Sequence, residues 1–170
     1  MNIFLPHIYE DSIYKIDYKC LYKNNIKVVL FDLDNTIIPS NEKKANIKSK
    51  KLFDDIKELG LKPIIFSNSP KKRIKNVADY LNIDYVYFAC KPLTFKFRRL
   101  IKKYNLKNSE VAIIGDQLLT DIKGGNKVGI KTILVKPISD YDSLFTRLNR
   151  LKEKKILSKL DIKGCNNYEM

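Results

Sequence analysis

Val28-Val29-Leu30-Phe31-Asp32-Leu33-Asp34-Asn35-Thr36 is the stretch on which the reading of this chain turns. Four apolar residues in an unbroken run describe a strand covered on both faces, because a half-exposed strand would alternate apolar with polar. The run stops abruptly at an acid. Asp32 and Asp34 are two apart, so in extended backbone their carboxylates face the same way. The same grammar recurs downstream. Continuous apolar runs at Pro63–Phe66, Tyr85–Phe88, Val111–Ile114 and Thr132–Val135 read as four more strands.

Helical patterns fill the intervals. Leu52, Phe53, Ile56 and Leu59 share one face, and Gly60 can end that helix in the left-handed conformation. Ser69-Pro70 reads as an N-cap followed by proline at the first helical position, with Ile74, Val77, Ala78 and Leu81 as the buried stripe. Thr94 is placed to cap a third helix burying Phe97, Leu100, Ile101 and Tyr104. A fourth runs from about Leu118 to Lys127, and Gly129 turns the chain into the last strand. Strand and helix alternating in this way imply right-handed crossovers. The expected fold is therefore α/β: a three-layer Rossmann-like sandwich around a five-stranded parallel sheet. The aromatic-rich Tyr9–Tyr22 region is expected to pack beneath the sheet.

Open parallel sheets bind ligands beyond the carboxyl ends of their strands, so the residues at those ends decide the chemistry. Asp32 and Asp34 follow the first strand and Ser67-Asn68-Ser69 the second. Lys91-Pro92 follows the third, and Gly115-Asp116, with Asp121 five residues on, the fourth. Acids converging on one rim repel unless a hard cation lies among them, and oxygen-only ligands favour Mg²⁺ over zinc or copper. A carboxylate can attack phosphorus to give an acyl phosphate. Mg²⁺ and Lys91 would offset the repulsion between that anion and an anionic substrate. Each short motif taken alone is an ordinary turn or cap; their order and strand-end context give them weight.

In order, Asp32-x-Asp34-Asn35-Thr36, Ser67-Asn68, Lys91-Pro92 and Gly115-Asp116-x4-Asp121 resemble the four motifs of the haloacid dehalogenase superfamily over residues 28–135. The resemblance implies that Asp32 is the nucleophile and a metal ligand. It implies that Asp34 is the general acid and base, with its backbone carbonyl on the metal. Ser67 and Asn68 would hold the transferring phosphoryl group, Lys91 would neutralise it, and Asp116 and Asp121 would complete the metal site. An acid at position 34 implies phosphatase chemistry, since an alkoxide leaving group needs a proton donor. Superfamily caps are inserted after the first or second strand. Here Ile37–Leu52 and Asn68–Tyr85 leave no room for one, so an open, capless cleft is expected.

The flanks sharpen the resemblance. Phe4-Leu5-Pro6, Gly115-Asp116-Gln117-Leu118-Leu119-Thr120-Asp121, Gly125-Asn126 and Thr146-Arg147-Leu148-Asn149-Arg150 are similar to the YqeG family, a capless group related to the mitochondrial phosphatidylglycerophosphate phosphatase. That implies a phosphate-ester substrate carried by a membrane lipid. Rival readings are a phosphatase for a soluble sugar or nucleotide phosphate, or a basic adaptor for RNA, ribosome or protein that keeps the fold without the activity.

Composition bounds the rest. The chain has 170 residues, 33 lysines and arginines, 19 acids and a formal net charge of +14. That charge fits attraction to polyanions such as nucleic acid, an anionic membrane face or a phosphorylated substrate; it equally fits biased coding, and composition does not separate them. Residues 1–160 read as one phosphatase domain with its motifs in 26–136, and 161–170 as a flexible tail. Over about 141–160, Leu144, Phe145, Leu148, Leu151, Ile156, Leu157 and Leu160 recur at helical spacing among Arg147, Arg150, Lys152, Lys154, Lys155 and Lys159. Such a basic helix either packs on the domain or lies on an anionic membrane. Cys20, Cys90 and Cys165 form no C-x-x-C pair, the N-terminus lacks a signal-peptide pattern, and no apolar run approaches a membrane span. A cytoplasmic location, at most peripheral to the inner membrane face, is expected.

Overall fold

The structure, a computed structural model, describes residues 2–141, 144–162, 165, 166 and 168. Its centre is a parallel sheet of six strands: β1 Ile8–Glu10, β2 Val28–Phe31, β3 Lys62–Phe66, β4 Asp84–Val86, β5 Val111–Gly115 and β6 Lys131–Val135. Their spatial order is β1-β6-β5-β2-β3-β4. The expected sheet had five strands. The sixth, β1, comes from the aromatic-rich N-terminal region and pairs Ile8 with Ile133 and Glu10 with Val135 at the sheet edge. Three residues with one fully buried side chain give too short a pattern to be read without knowing that β6 offers a free edge.

The continuous apolar runs are explained by burial on both faces. Along β2, Val29 and Phe31 point into one core with Phe53, Ile56, Ile74 and Val77, while Val28 and Leu30 point into another with Phe97, Leu100 and Val128. β3 and β5 divide in the same way: Ile65, Ala112 and Ile114 go to the first core, and Ile64, Phe66, Val111 and Ile113 to the second. Helices α2 (Ile47–Glu58) and α3 (Lys71–Leu81) supply the first core's outer layer. The outer layer of the second comes from α4 (Phe95–Lys103) and α5 (Lys123–Val128). A short α1 (Tyr18–Lys23) adds Tyr18 and Leu21 to the first core. Rings at the two centres pack closely, Phe31 on Phe53 at 4.8 Å and Phe66 on Phe97 at 4.4 Å between centroids. Full burial of each such side chain contributes about 1.5–3 kcal/mol.

Local signals held unevenly. Gly60 ends α2 at φ 91° as its lack of a Cβ permits. Ser69 does not cap α3: Pro70 occupies the N-cap position without a side-chain bond, and the Ser69 hydroxyl turns to Asp34 instead. Thr94 takes the N-cap position of α4 but makes no capping bond. β4 ends at Val86, before Tyr87 and Phe88, because Phe88 adopts φ 44° and leaves the extended region. The expected fourth helix divides into a π-helical turn, Leu118–Ile122, followed by α5.

The C-terminal helix α6 spans Leu144–Leu157, and Ile156 and Leu157 pack on Leu118, Ile122 and Leu134. The side chains of Leu144 and Phe145 lie outside the described residues. So do residues 163, 164, 167, 169 and 170 of the expected tail. Within it, Asn166 bridges Ile8, and the Tyr168 hydroxyl donates to Glu10 Oε1 at 2.8 Å.

From β2 the chain winds outward through β3 and β4, then crosses back to β5 and β6 on the other side of β2. The reversal falls between β2 and β5. Their carboxyl ends, Phe31 paired with Ile114, open the crevice that carries the site.

Candidate active site

Asp32 is the first residue beyond β2 and still belongs to the ladder, its N–H donating to Ile114 O at 2.9 Å. Asp116 leaves β5 at the adjacent position. Asp121 arrives through the π-helical turn, where Ile122 N reaches back to Gln117 O at 3.3 Å. The extra residue in that turn folds Asp121 directly over Gly115. A Cβ on residue 115 would lie 2.2 Å from Asp121 Cγ, so only glycine admits this approach. Oxygens of Asp32, Asp116 and Asp121, all buried, lie within 4.8 Å of one another.

Two cations face the three acids. Lys91 Nζ donates to Asp32 Oδ1 and to Asp121 Oδ1, each at 2.6 Å, with the lysine side chain only 2% exposed. Arg150 of α6 donates through Nη2 to Asp116 Oδ2 and through Nη1 to Asp116 O at 2.7 Å. Thr36 Oγ1 donates to Asp116 Oδ1 at 3.1 Å. Three carboxylates face two cations here, and burial together with this crowding raises the proton affinity of Asp32 and Asp116. Burial pushes the Asp32 carboxyl up to about 6, against the pull of Lys91 and with Asp121 adding to the rise. Burial drives Asp116 up to about 8, opposed by Arg150 and reinforced by Asp32 and Asp121. Lys91 is disfavoured as a cation by burial, but Asp121 and Asp32 outweigh that and raise its pKa above the ordinary lysine value. Dry, all-oxygen and under-neutralised, the trio fits a hard divalent cation.

Asp34 stands apart from the trio. Arg73 of α3 donates to its Oδ1 through Nε at 3.0 Å and Nη2 at 2.6 Å, and Ser69 Oγ donates to its Oδ2 at 2.6 Å. The same guanidinium donates to the carbonyls of Ser40 and Glu42, tying the loop after β2 to α3. Ser67 is buried at the end of β3, and its Oγ accepts Ser69 N–H at 3.2 Å. Asn68 turns to the lysine loop: its Nδ2 donates to Lys91 O at 3.1 Å, and its Oδ1 accepts Lys91 N–H at 2.8 Å. Asn68 therefore sets the position of Lys91. These residues line one cleft of about 610 Å³, with Asp32, Asp34, Ser67, Asn68, Lys91 and Tyr141 among its walls.

All the expected site residues thus reach one crevice, Asp116 and Asp121 forming its buried floor with Asp32. Two residues escaped the sequence reading. Arg73 left a signal: Lys71, Lys72 and Arg73 crowd the first turn of α3, where the helix dipole disfavours cations. Asp34 supplies the missing compensation. Arg150 reads in the sequence as one of six cations of a basic helix, yet Glu153, the only acid in α6, follows it by three. Glu153 is buried and accepts Leu119 N–H at 2.9 Å, and Arg150 lies between Glu153 and Asp116.

A buried aspartate at the switch point, joined by a bridging lysine to a floor of carboxylates on this sheet order, is the arrangement of a phosphatase of the haloacid dehalogenase type. Comparison with known proteins agrees. Residues 88–137 match the HAD-hydrolase-like family model, and residues 1–84 match the mitochondrial PGP phosphatase model. The chain is 39% identical over 168 residues to the probable phosphatase YqeG of Bacillus subtilis, covering 99% of this chain and 98% of that one. It therefore belongs to the YqeG family. It is also 26% identical over 150 residues to phosphatidylglycerophosphate phosphatase 1 of Arabidopsis thaliana, covering 83% of this chain but 43% of the plant protein. Among solved structures, the 3-deoxy-D-manno-octulosonate 8-phosphate phosphatase of Moraxella catarrhalis shares the fold. Its TM-score is 0.58 at 17% identity, over 84% of this chain and 97% of that one.

Proposed function

We propose that this chain is a Mg²⁺-dependent phosphomonoester hydrolase that works through an aspartyl-phosphate on Asp32 and takes phosphatidylglycerophosphate as substrate. The observation that carries the reading is Asp32, buried beside two further carboxylates and hydrogen-bonded to Lys91. Asp32, Asp116 and Asp121, with the backbone carbonyl of Asp34, would hold the metal. Bound there, Mg²⁺ would offset charge between nucleophile and substrate. The Moraxella relative in fold was crystallised with magnesium and phosphate ions, which accords with this choice.

The residues divide the work as follows. Asp32 attacks phosphorus, the bond from phosphorus to the ester oxygen breaks, and Asp34 gives that oxygen a proton. Water then attacks the acyl phosphate, Asp34 takes its proton, and phosphate leaves as the Asp32 carboxylate is restored. Ser67 and the Asn68 backbone would hold the non-bridging oxygens, and Lys91 would neutralise charge developing on them. Arg73 and Ser69 fix the Asp34 carboxylate at the mouth of the cleft. We read residues 1–160 as one capless domain, so that a bulky headgroup enters without a lid.

Support for the lipid substrate comes from the plant and algal phosphatidylglycerophosphate phosphatases and the matching N-terminal family model. No helix among the described residues is long and apolar enough to cross a membrane, so a lipid substrate would be met at the bilayer surface. The test is release of inorganic phosphate from micellar phosphatidylglycerophosphate, set against sugar and nucleotide phosphates, with and without Mg²⁺. Preference for the lipid is expected, and Asp32→Asn should abolish turnover while leaving the fold intact. Faster turnover of a soluble ester would replace the substrate. Salt-sensitive RNA binding untouched by Asp32→Asn, with no phosphatase activity, would replace the function.

A further inference from the structure

The loop that delivers Lys91 to the cleft also carries an apolar cluster outward. Tyr87, Phe88, Leu93 and Phe95 are 42%, 51%, 58% and 52% exposed, whereas Phe31, Phe53, Phe66 and Phe97 are fully buried. Phe88 holds φ 44° and Cys90 φ 58°, conformations that cost a side chain energy and persist only where surroundings enforce them. The enforcement is visible. Phe88 N–H donates to Ser69 O at 3.1 Å and Ala89 N–H to Ser67 O at 2.8 Å, so the loop is fastened to the Ser67–Ser69 wall of the cleft. Lys96 Nζ donates to the carbonyls of Tyr87 and Phe88 at 2.8 and 2.6 Å, bracing it from the other side.

The charge around this cluster is one-sided. From Tyr85 to Ser109 there are seven lysines and arginines and no acid. Lys91 points into the site, and Arg98, Arg99, Lys102, Lys103 and Lys107 are exposed on or just beyond α4. The acids that approach from neighbouring elements, Asp79 and Asp84, are already paired with Lys75 at 2.6 Å and Lys62 at 2.8 Å. A groove of about 720 Å³ running between β4 and α4 is lined by Tyr85, Tyr87, Lys96, Arg99 and Lys103 among others, which extends the basic aromatic face.

We propose that the Tyr87–Phe95 loop and the exposed side of α4 form a docking face for an anionic bilayer, seating the cleft mouth against lipid headgroups. Apolar tips ringed by cations suit the boundary between headgroups and acyl chains, where each finds its preferred surroundings. Leu93 offers no flat ring for a base to stack on, and the cluster adjoins the cleft, so a bilayer fits this face better than single-stranded RNA. The inference deepens the lipid-phosphatase reading and rests on it for its purpose, but its binding step is measured without turnover.

The full-length protein would be floated with vesicles of phosphatidylglycerol and phosphatidylcholine, and with phosphatidylcholine alone, at about 0.15 M salt. Binding to the anionic vesicles and little to the neutral ones is expected. Each cation removed should lower the partition coefficient about fivefold, so Arg98→Glu with Arg99→Glu should lose more than about 25-fold. Leu93→Ser with Phe95→Ser should also detach the protein. Both double variants should hydrolyse p-nitrophenyl phosphate at the parent rate, which shows them folded. Vesicle binding without lipid hydrolysis would sustain the docking face and sink the substrate assignment. Undiminished vesicle binding by both variants, or RNA binding in place of vesicle binding, overturns the proposal.

Discussion

Replacing Arg150 with methionine isolates what the C-terminal helix does for the acidic floor of the cleft. Methionine keeps most of the apolar stem and removes the guanidinium. In its absence Asp116, whose side chain is fully buried, keeps Thr36 Oγ1 as its one side-chain donor among the described residues. Breaking a buried ion pair from one side costs about 3–5 kcal/mol. Arg150 is 19% exposed, so water can partly replace it and the low end applies. For a domain of this size about 3 kcal/mol corresponds to a fall in Tm of roughly 6–12 °C. Calorimetry in chelator should register that loss. Repeated in saturating Mg²⁺, it should find the deficit narrowed, because the metal supplies the charge that the arginine no longer does. Isothermal titration should show Mg²⁺ still binding. A loss under about 2 °C, which is below about 1 kcal/mol, would refute the assignment of Arg150 to Asp116. Equal losses with and without metal would refute the shared-charge argument even if the variant were unstable.

Two further outcomes follow from the same floor. Gly115→Ala would drive a methyl group into Asp121, which is fully buried and has nowhere to retreat; Mg²⁺ affinity should fall at least tenfold, the scale on which misplaced ligand shells cost binding, and unchanged affinity by titration would contradict the geometry. The pH dependence has a defined sign: Asp32 and Asp116 bind protons more tightly folded than unfolded, so their contribution to stability is present at acid pH and is lost as pH rises from about 4 through about 6 and about 8. Between about pH 4 and about pH 8 the metal-free protein should therefore lose Tm more steeply than Asp116→Asn does, and Mg²⁺ should flatten the difference; parallel profiles would count against a charge-strained cluster.

The sheet and the site motifs were legible because strand burial and strand-end chemistry are both local. Val28–Phe31 and Val111–Ile114 read as doubly covered strands from composition alone, and Asp32, Ser67, Lys91 and Asp116 each follow a strand whose end points at the same crevice. The order of the motifs along the chain fixed their meeting place, since parallel crossovers leave one rim for all of them. What depends on a partner distant in sequence was not legible. β1 is a strand only because β6 presents an open edge, and Ser69 forsakes its helix cap because Asp34 lies within 2.6 Å. Arg73 and Arg150 look like two more cations among 33 until the fold sets each against a carboxylate, 39 and 34 residues away in sequence. The chain by itself therefore determined which chemistry it carries, because strand ends and acid spacing are properties of short segments. The tertiary structure decided which charges answer those acids, because a long flexible side chain acquires its partner only when packing brings two elements together.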